Sequence, residues 1–434
     1  MEQMTLAEPL LKPALNNENW FADVLKASNN LKEEVVIRNV LKPELVEKLH
    51  RLQEFSLSEL CRLQALEYGF RVWRNDEQRN IHYLRKHVFA NAPEKYESIG
   101  SWMERIFPEE ETCIIMNNIE RFSDDIGQLM SVLFKPVIDH VGIPLNGLHS
   151  TSIFGDYTYT PLGIHHDSKG SFVMSLHLGP GTKEMYTWEW DHYLSIGGKD
   201  NEKNIEKFLP EAKKYTIYPG DVYFMPWDKF HVGRNQGFSI TLTNWFDFHS
   251  ANRLMYDVIN FMGDTFMKLQ EDFLSEPVTE HNFKDKFGDI LNSFNFEGGR
   301  DQKSLRQNLL DAQEFKMLRT FSNCGWKSVP FTRKEIEGYD KMNYEDLRFT
   351  TVRSLNPFKI YSKVIDSNIY LFVRGHVFKY DYQPEIDRIV EQLNTFQELS
   401  VSELLENHRP DSWSEDTFLY FLSSLYNLKG IEIL

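Results

Sequence analysis

The feature that most constrains the fold is a run of short apolar segments between about residues 147 and 248. In order, these segments are "GLHSTSIFGDYTYT", "SFVMSLHLG", "EMYTWEW", "KYTIYPGDVYFMP" and "FSITLTNWFDF". Gly, Pro and Asp separate them at short intervals, and no helical pattern lies between them. Many short strands with turn signals predict an all-β barrel or sandwich rather than a sheet built from βαβ units.

One of these segments carries a motif with fixed spacing, "YPGDVYFMPWDKFHVGRN" at residues 218–235. Gly220, Pro226, His231 and Asn235 follow the spacing of the second signature of the cupin barrel, which this stretch resembles. Asp228 stands where that signature has its second glycine. The resemblance implies a small β barrel in which a tight loop delivers His231 inward as a metal ligand.

A second pair of candidate ligands precedes the strand "SFVMSLHLG". Side chains two residues apart on a strand point to the same face, so His165 and Asp167 can converge on one ion with His231. Two histidines and one carboxylate form the facial triad of non-haem Fe(II) oxygenases. The alternative register, His166 with Ser168, offers no second ligand, so His166 is expected to be a wall residue.

The triad chemistry favours 2-oxoglutarate as cosubstrate, and this requires a cation for its distal carboxylate. Lys183 on the following segment is the predicted anchor, because a buried lysine without an anionic partner would be costly. Arg234 is the first alternative. Asn244 and Ser171 are further candidates for binding the cosubstrate, whereas His177 is expected to be structural.

Residues of about 110 to 250 resemble the Jumonji-C branch of 2-oxoglutarate oxygenases, in particular the bacterial ribosomal-oxygenase type. The resemblance implies that His165, Asp167 and His231 hold Fe(II), that Lys183 binds 2-oxoglutarate, and that O2 is the oxidant. Such enzymes usually have a tighter turn, often with arginine, where this chain has "LGPGTK". The implied activity is hydroxylation of a protein or peptide side chain, with release of succinate and CO2.

Two other functions remain open at this point. In the first, the chain belongs to the same chemical class but acts on a free amino acid or a natural-product intermediate. In a different class, it would be a non-catalytic cupin-fold binding protein with a vestigial metal site. The intact triad disfavours the second alternative, and iron analysis with succinate release would decide it.

The chain divides into regions with different predicted secondary structure. We expect a helical N-terminal region at 1–110 packed on a catalytic barrel at 111–250. Residues 251–324 are predicted to form a helical linker interrupted by glycines at 298–299, and 325–434 a winged-helix-like α+β module. The fold class is therefore a mainly β core, a double-stranded β-helix, with flanking helices and these two additions. An apolar stripe in the linker predicts a homodimer: Leu254, Val258, Phe261, Met262 and Phe266.

Composition restricts the partners and the compartment. The formal net charge is -16, from 64 acidic and 48 basic residues, which disfavours nucleic acid because such binding needs clustered Lys and Arg. The three cysteines, Cys61, Cys113 and Cys324, are far apart, a pattern typical of reducing compartments. No secretory signal or transmembrane-length apolar run is visible, so a cytoplasmic protein without membrane contact is expected.

Overall fold

The fold was analysed in a computed structural model of the chain. Residues 14–65, 69–268, 303–337 and 344–434 are described, with short pieces between 279 and 296. The first 13 residues and the glycine pair at 298–299 lie outside these ranges. None of the helices within them is long and apolar enough to cross a membrane.

Ten antiparallel strands form the centre of the molecule. They are β1 Val35–Ile37, β2 Phe70–Arg74, β3 Glu77–Gln78, β4 Thr112–Asn117, β5 Leu148–Asp156, β6 His165–His166, β7 Ser171–Glu189, β8 Lys213–Ile217, β9 Val222–Pro226 and β10 Lys229–Asp247. This confirms the predicted mainly β core. Strands β1 to β3 come from the N-terminal region, so that region contributes to the sheet as well as helices.

Two long strands, β7 and β10, bend and thereby divide the sheet into two layers. The ladder between them is irregular from Gln236 to Ser239, opposite the bend in β7. A Cβ on Gly181 would lie 2.6 Å from the carbonyl oxygen of Gln236 and 2.7 Å from that of Phe238. Only glycine therefore allows the backbones to approach this closely at the bend.

The larger layer contains the first half of β7 and the second half of β10, in the order β1-β9-β7-β10-β5-β4-β2-β3. The smaller layer contains the other halves, flanked by β8 and β6. Side chains alternate between the two faces of each strand. In β10, Leu242 and Phe246 therefore join the hydrophobic core outside the barrel, whereas Thr241 and Thr243 point into the space between the layers.

Helices cover the outer face of the larger layer. The principal ones are Pro43–Leu63 and Asp124–Leu133, whose apolar sides share one core with Leu242 and Phe246. Ser123 caps the second of these by accepting a hydrogen bond from the amide of Ile126. The other helices of this part are Trp20–Ala27, Ile81–Tyr83, Ile99–Ile106, Lys135–Val141 and Trp190–Ser195.

The region after the barrel contains the helices Ala251–Phe266 and Leu305–Ser322 and a short ladder between β11 (Met267–Lys268) and β12 (Asn295–Phe296). Part of the predicted dimerisation stripe packs within the chain, where Val258, Met262 and Phe266 form a cluster with Phe315 and Phe372. The stripe therefore does not require a second copy of the chain to be buried.

The C-terminal module is α+β, as predicted. Its strands are β13 Thr351–Ser354, β14 Tyr361–Ile365, β15 Asn368–Val373, β16 His376–Asp381, β17 Leu399–Ser400 and β18 Ile431–Ile433. Its helices are Arg333–Glu337, Pro384–Leu393, Val401–His408 and Glu415–Asn427. These elements enclose a separate hydrophobic cluster. The winged-helix assignment and the four region boundaries stay predictions.

Buried polar contacts join this module to the barrel side of the molecule. Asp124, at the start of a barrel helix, pairs with Arg374 at 3.1 Å and with Lys429 at 2.9 Å. Trp326 donates an indole hydrogen bond to Ser131 at 2.8 Å. Because these groups are buried, separating the module from the barrel would leave charges without partners.

Candidate metal centre and cosubstrate cavity

Three side chains converge at one end of the space between the layers. His165 on β6 stands opposite His231 on β10 in the strand register, and Asp167 follows two residues after His165. One ligand atom from each of the three lies within 4.8 Å of the others. The sequence-predicted triad is thus brought together in space, in an arrangement that fits a single ion.

Neighbouring backbone groups orient both imidazoles. The Nδ1 atom of His165 lies 2.9 Å from the carbonyl oxygen of Gly163, and that of His231 lies 3.3 Å from the carbonyl oxygen of Lys229. A carbonyl oxygen only accepts, so Nδ1 carries the proton and donates in each case. The Nε2 atoms are left with free lone pairs, which is the state that binds a metal.

Burial also favours the ligand forms of the histidines. It lowers the pKa of His165 to about 4 and that of His231 to about 4, so both rings are neutral near pH 7. Burial raises the pKa of Asp167 to about 6, and its Oδ2 atom has no hydrogen-bond partner among the described residues. A divalent cation would supply the missing partner of this carboxylate, so the three residues fit a metal ion.

His166 lies on the opposite face of β6, as strand alternation requires. Its ring packs 4.5 Å from that of Trp190 and 5.2 Å from that of Phe230, measured between centroids. It forms part of the outer wall of the smaller layer.

The triad opens into a cavity of about 350 Å³ between the two layers. Apolar side chains cover much of its wall: Ile115, Ile153, Val173, Met185, Ile217 and Met225. Thr151, Ser175, Thr241 and Thr243 add hydroxyl groups on the larger layer. The space is therefore shielded from water but retains a few hydrogen-bonding positions, as small-molecule sites do.

Lys183 enters this cavity from the smaller layer. It is 5% exposed, and its closest polar contact is a long one of 3.4 Å from Nζ to Oγ1 of Thr241. No carboxylate among the described residues forms an ion pair with it. Burial lowers the pKa of Lys183 to about 8. A desolvated ammonium without a counter-ion is unfavourable by itself, which makes this position suited to an anion.

Two further unsatisfied groups of the cavity wall can donate hydrogen bonds. The hydroxyl of Tyr223 and the indole Nε1 of Trp245 are buried without a hydrogen-bond partner among the described residues. With Lys183 they make the cavity rich in donors. A ligand with several acceptor oxygens would complement it.

The other predicted cosubstrate residues are placed differently. Asn244 points to the outer face of β10 and does not line the cavity, and both polar atoms of its amide are buried without partners among the described residues. Ser171 donates to Oδ1 of Asp247 at 2.9 Å, and Asp247 rather than Ser171 lines the cavity. Arg234 faces outward near Glu184.

His177 does line the cavity, but backbone and side-chain contacts hold both of its ring nitrogens. Nε2 lies 2.7 Å from the carbonyl oxygen of Gly181, and Nδ1 lies 3.3 Å from Oγ1 of Thr241. His177 therefore belongs to the part of the cavity wall near Lys183 and not to the triad.

Sequence reasoning missed Thr241, Tyr223, Trp245 and Arg71 as cavity residues. For Thr241 and Trp245 a signal existed: in "SITLTNWF" the apolar Ile and Leu alternate with the inward-facing residues. Arg71 carried no signal, because β2 reaches the cavity only through its pairing with β4.

The fold and the cluster define a β-barrel protein with two histidines and one carboxylate arranged as a candidate metal site. No protein-family model and no curated protein matches the chain. Among solved structures it is similar to the ribosomal oxygenase YcfD from Escherichia coli, with 12% identity and a TM-score of 0.45, covering 97% of this chain and 99% of that one. A complex of YcfD with cobalt and 2-oxoglutarate has 13% identity and a TM-score of 0.44, with the same coverage. Values this low assign no activity, so function rests on the site itself.

Proposed function

We propose that the chain is an Fe(II)- and 2-oxoglutarate-dependent oxygenase that hydroxylates a C–H bond of a protein or peptide side chain, releasing succinate and CO2. The observation that carries this proposal is the presence, in one cavity, of the His165, Asp167 and His231 triad and the unpaired ammonium of Lys183. Neither group alone would specify the reaction.

The triad supports iron over a structural metal. Two imidazoles and one carboxylate leave coordination positions open, whereas structural zinc sites are closed by four protein ligands. Cys113 and the other cysteines are not part of the cluster. Bound iron, a 2-oxo acid and O2 together supply the oxidising chemistry.

Lys183 supports a dicarboxylate cosubstrate. It precedes Thr187, the register partner of His231, by four residues, so its side chain points into the same space as the triad. An ammonium there would bind the carboxylate of 2-oxoglutarate that is remote from the metal. Thr241, next to the ammonium, is placed to add a neutral hydrogen bond.

The groups around the metal and cosubstrate positions contribute to this reaction in two ways. The apolar side chains exclude water, which strengthens the interaction between Lys183 and its anion. The carbonyl groups of Gly163 and Lys229 hold the two imidazoles in the ligating tautomer.

A polypeptide substrate is supported by the way the C-terminal module meets the cavity. Lys327, in the segment that leads into the module, lies 3.9 Å from Asp247 on the cavity wall. Main-chain hydrogen bonds fix this segment against the start of β5. These contacts support a role of the module in holding a chain whose reacting residue enters the cavity. Deleting it from residue 325 is not a clean test, because Trp326 is buried in the core.

We also infer a cytoplasmic homodimer. Cys61 and Cys113 are buried free thiols, which suits a reducing compartment. On the helix Ala251–Phe266, Met255, Tyr256 and Ile259 are exposed, and an apolar face of this kind favours association.

The proposal is tested by incubating the Fe(II)-loaded chain with 2-oxoglutarate, O2 and cell extract. We expect a polypeptide product heavier by one oxygen atom, formed with succinate. His231→Ala should form neither, while the wall variant His166→Ala should retain both. An oxygenated free amino acid would replace the polypeptide substrate with a small one, and iron binding without succinate release would favour a binding protein.

A further inference from the structure

A second cation, Arg71, lines the same cavity on the larger layer. In the strand register Arg71 stands opposite Ile115, Ile115 opposite Ile153, and Ile153 opposite Thr241. Arg71 therefore lies level with Thr241 but three strands away, which is about 14 Å at the usual strand spacing. Arg71 thus lines the cavity at a backbone position well removed along the sheet from Thr241, which the Lys183 ammonium contacts.

The guanidinium of Arg71 has no anionic partner among the described residues. Its side chain contacts the ring of Trp73, whose centroid lies 5.3 Å from Cζ, and it lies near the buried thiol of Cys113. It is half-buried among apolar groups, and this desolvation lowers its pKa. Arg74, on the same strand, forms an ion pair with Glu110. An arginine on this strand can therefore form an ion pair, and Arg71 lacks one because no carboxylate of the described residues lies near its own position.

The two cations project from different strands, and this separates them by function. The ammonium contacts Thr241 on β10, whereas Arg71 projects from β2, the third strand away. A five-carbon cosubstrate that is held by the metal and by Lys183 would already have both of its carboxylates engaged. The guanidinium of Arg71 is therefore available to bind a different molecule in the same cavity.

We propose that Arg71 binds a carboxylate group of the substrate, so that the molecule oxidised is an acid. The inference rests on the proposed function and adds the chemical class of its substrate. A planar guanidinium matches a carboxylate with two parallel hydrogen bonds. The carboxylate has two sources, an Asp or Glu side chain of a polypeptide or a small free amino acid, and the experiment distinguishes them.

The test measures equilibrium binding by calorimetry on the full chain loaded with Mn(II), a redox-inert replacement for iron, and saturated with 2-oxoglutarate. One set of probes is capped tripeptide amides with a central Asp or Glu, each compared with its Asn or Gln analogue. The other set is free L-aspartate and L-glutamate, again with their amides. In one of the two sets, we expect the acidic probes to bind at least about tenfold more tightly than their amides. That set identifies whether the carboxylate belongs to a polypeptide or to a free amino acid.

The variants assign this preference to one side chain. Arg71→Met should abolish it, Arg71→Lys should keep part of it, and Arg74→Met, the matched control, should retain it. Affinity for 2-oxoglutarate should fall in Lys183→Met and stay within about twofold in Arg71→Met. Circular dichroism verifies the fold of each variant, and Arg71→Lys carries the test if Arg71→Met does not fold.

Three results would overturn the inference. They are equal binding of acids and amides by the unsubstituted chain, an unchanged acid preference in Arg71→Met, and loss of 2-oxoglutarate affinity in Arg71→Met as large as in Lys183→Met. If the chain binds neither Mn(II) nor 2-oxoglutarate, the proposed function fails. The acid preference, measured on the metal-free chain, would still report on Arg71 alone.

Discussion

Without a bound anion, the charge of Lys183 should lower the stability of the folded chain. When 2-oxoglutarate is present, the same charge should bind it. Replacing its ammonium by a methyl thioether of similar length, as in Lys183→Met, removes a buried charge that has no counter-ion. We therefore expect this variant to be more stable than the unsubstituted chain when metal and 2-oxoglutarate are absent. At the same time it should bind 2-oxoglutarate more weakly.

The magnitude follows from the pKa of Lys183, which burial lowers from 10.5 to about 8. For a base with a depressed pKa the unfolded state binds the proton more tightly, so protonation destabilises the folded state. The penalty is fully present below about pH 8 and disappears as the pH rises to 10.5. A difference of about 2.5 pKa units corresponds to roughly 3 kcal/mol in the free energy of unfolding. Loss of a charge-assisted hydrogen bond should weaken 2-oxoglutarate binding about 10- to 100-fold.

Urea unfolding at pH 7 and pH 10, with chelator and without 2-oxoglutarate, measures the first effect. Lys183→Met should gain up to about 3 kcal/mol at pH 7 and much less at pH 10. The control Lys214→Met removes an exposed lysine that pairs with Glu184 and should not show this pH-dependent gain. Lower stability of Lys183→Met at pH 7, or unchanged 2-oxoglutarate affinity, would refute the assignment of an unpaired anchor.

Three further predictions concern the metal, the module and the assembly. His231→Ala should lose most of its Mn(II) affinity in a calorimetric titration, and equal binding by His231→Ala and His166→Ala would contradict the triad. Arg374→Met leaves Asp124 paired with Lys429 alone and should lower the free energy of unfolding by about 1 to 3 kcal/mol. A loss below about 1 kcal/mol in urea unfolding would show that this ion pair contributes little to the junction. If the proposed dimer forms through this face, Ile259→Glu should be monomeric in light scattering, and a monomeric unsubstituted chain would rule the dimer out.

The fold and the clustering of the three candidate ligands could be predicted from the sequence because both depend on local patterns. Short strands with turn residues indicated the β core. The separation of His165 and Asp167 by one residue is enough to place them on one face of a strand. The spacing from Gly220 to His231 then positioned the third ligand.

The residues that line the cavity could not be predicted in the same way. Their positions depend on how the strands pair, and the sequence does not show this pairing. Residue type favours Asn244 as a cosubstrate ligand, but Asn244 lies on the same face of β10 as Leu242 and Phe246, which point outward, whereas Thr241 points inward. Arg71 reaches the cavity through β4 and β5, and these pairings connect residues far apart in the chain. The linker stripe was apolar as predicted, yet the sequence could not show that Phe315 and Phe372 cover part of it.

Conversion of 2-oxoglutarate to succinate by the purified, Fe(II)-loaded chain under air is the decisive measurement of the proposed activity. We expect succinate and CO2 in equal amounts, no turnover under nitrogen or with chelator, and no turnover by His231→Ala. We also expect His166→Ala to retain turnover. Failure of the iron-loaded chain to form succinate, with or without cell extract as a source of substrate, would contradict the assignment of a 2-oxoglutarate-dependent oxygenase.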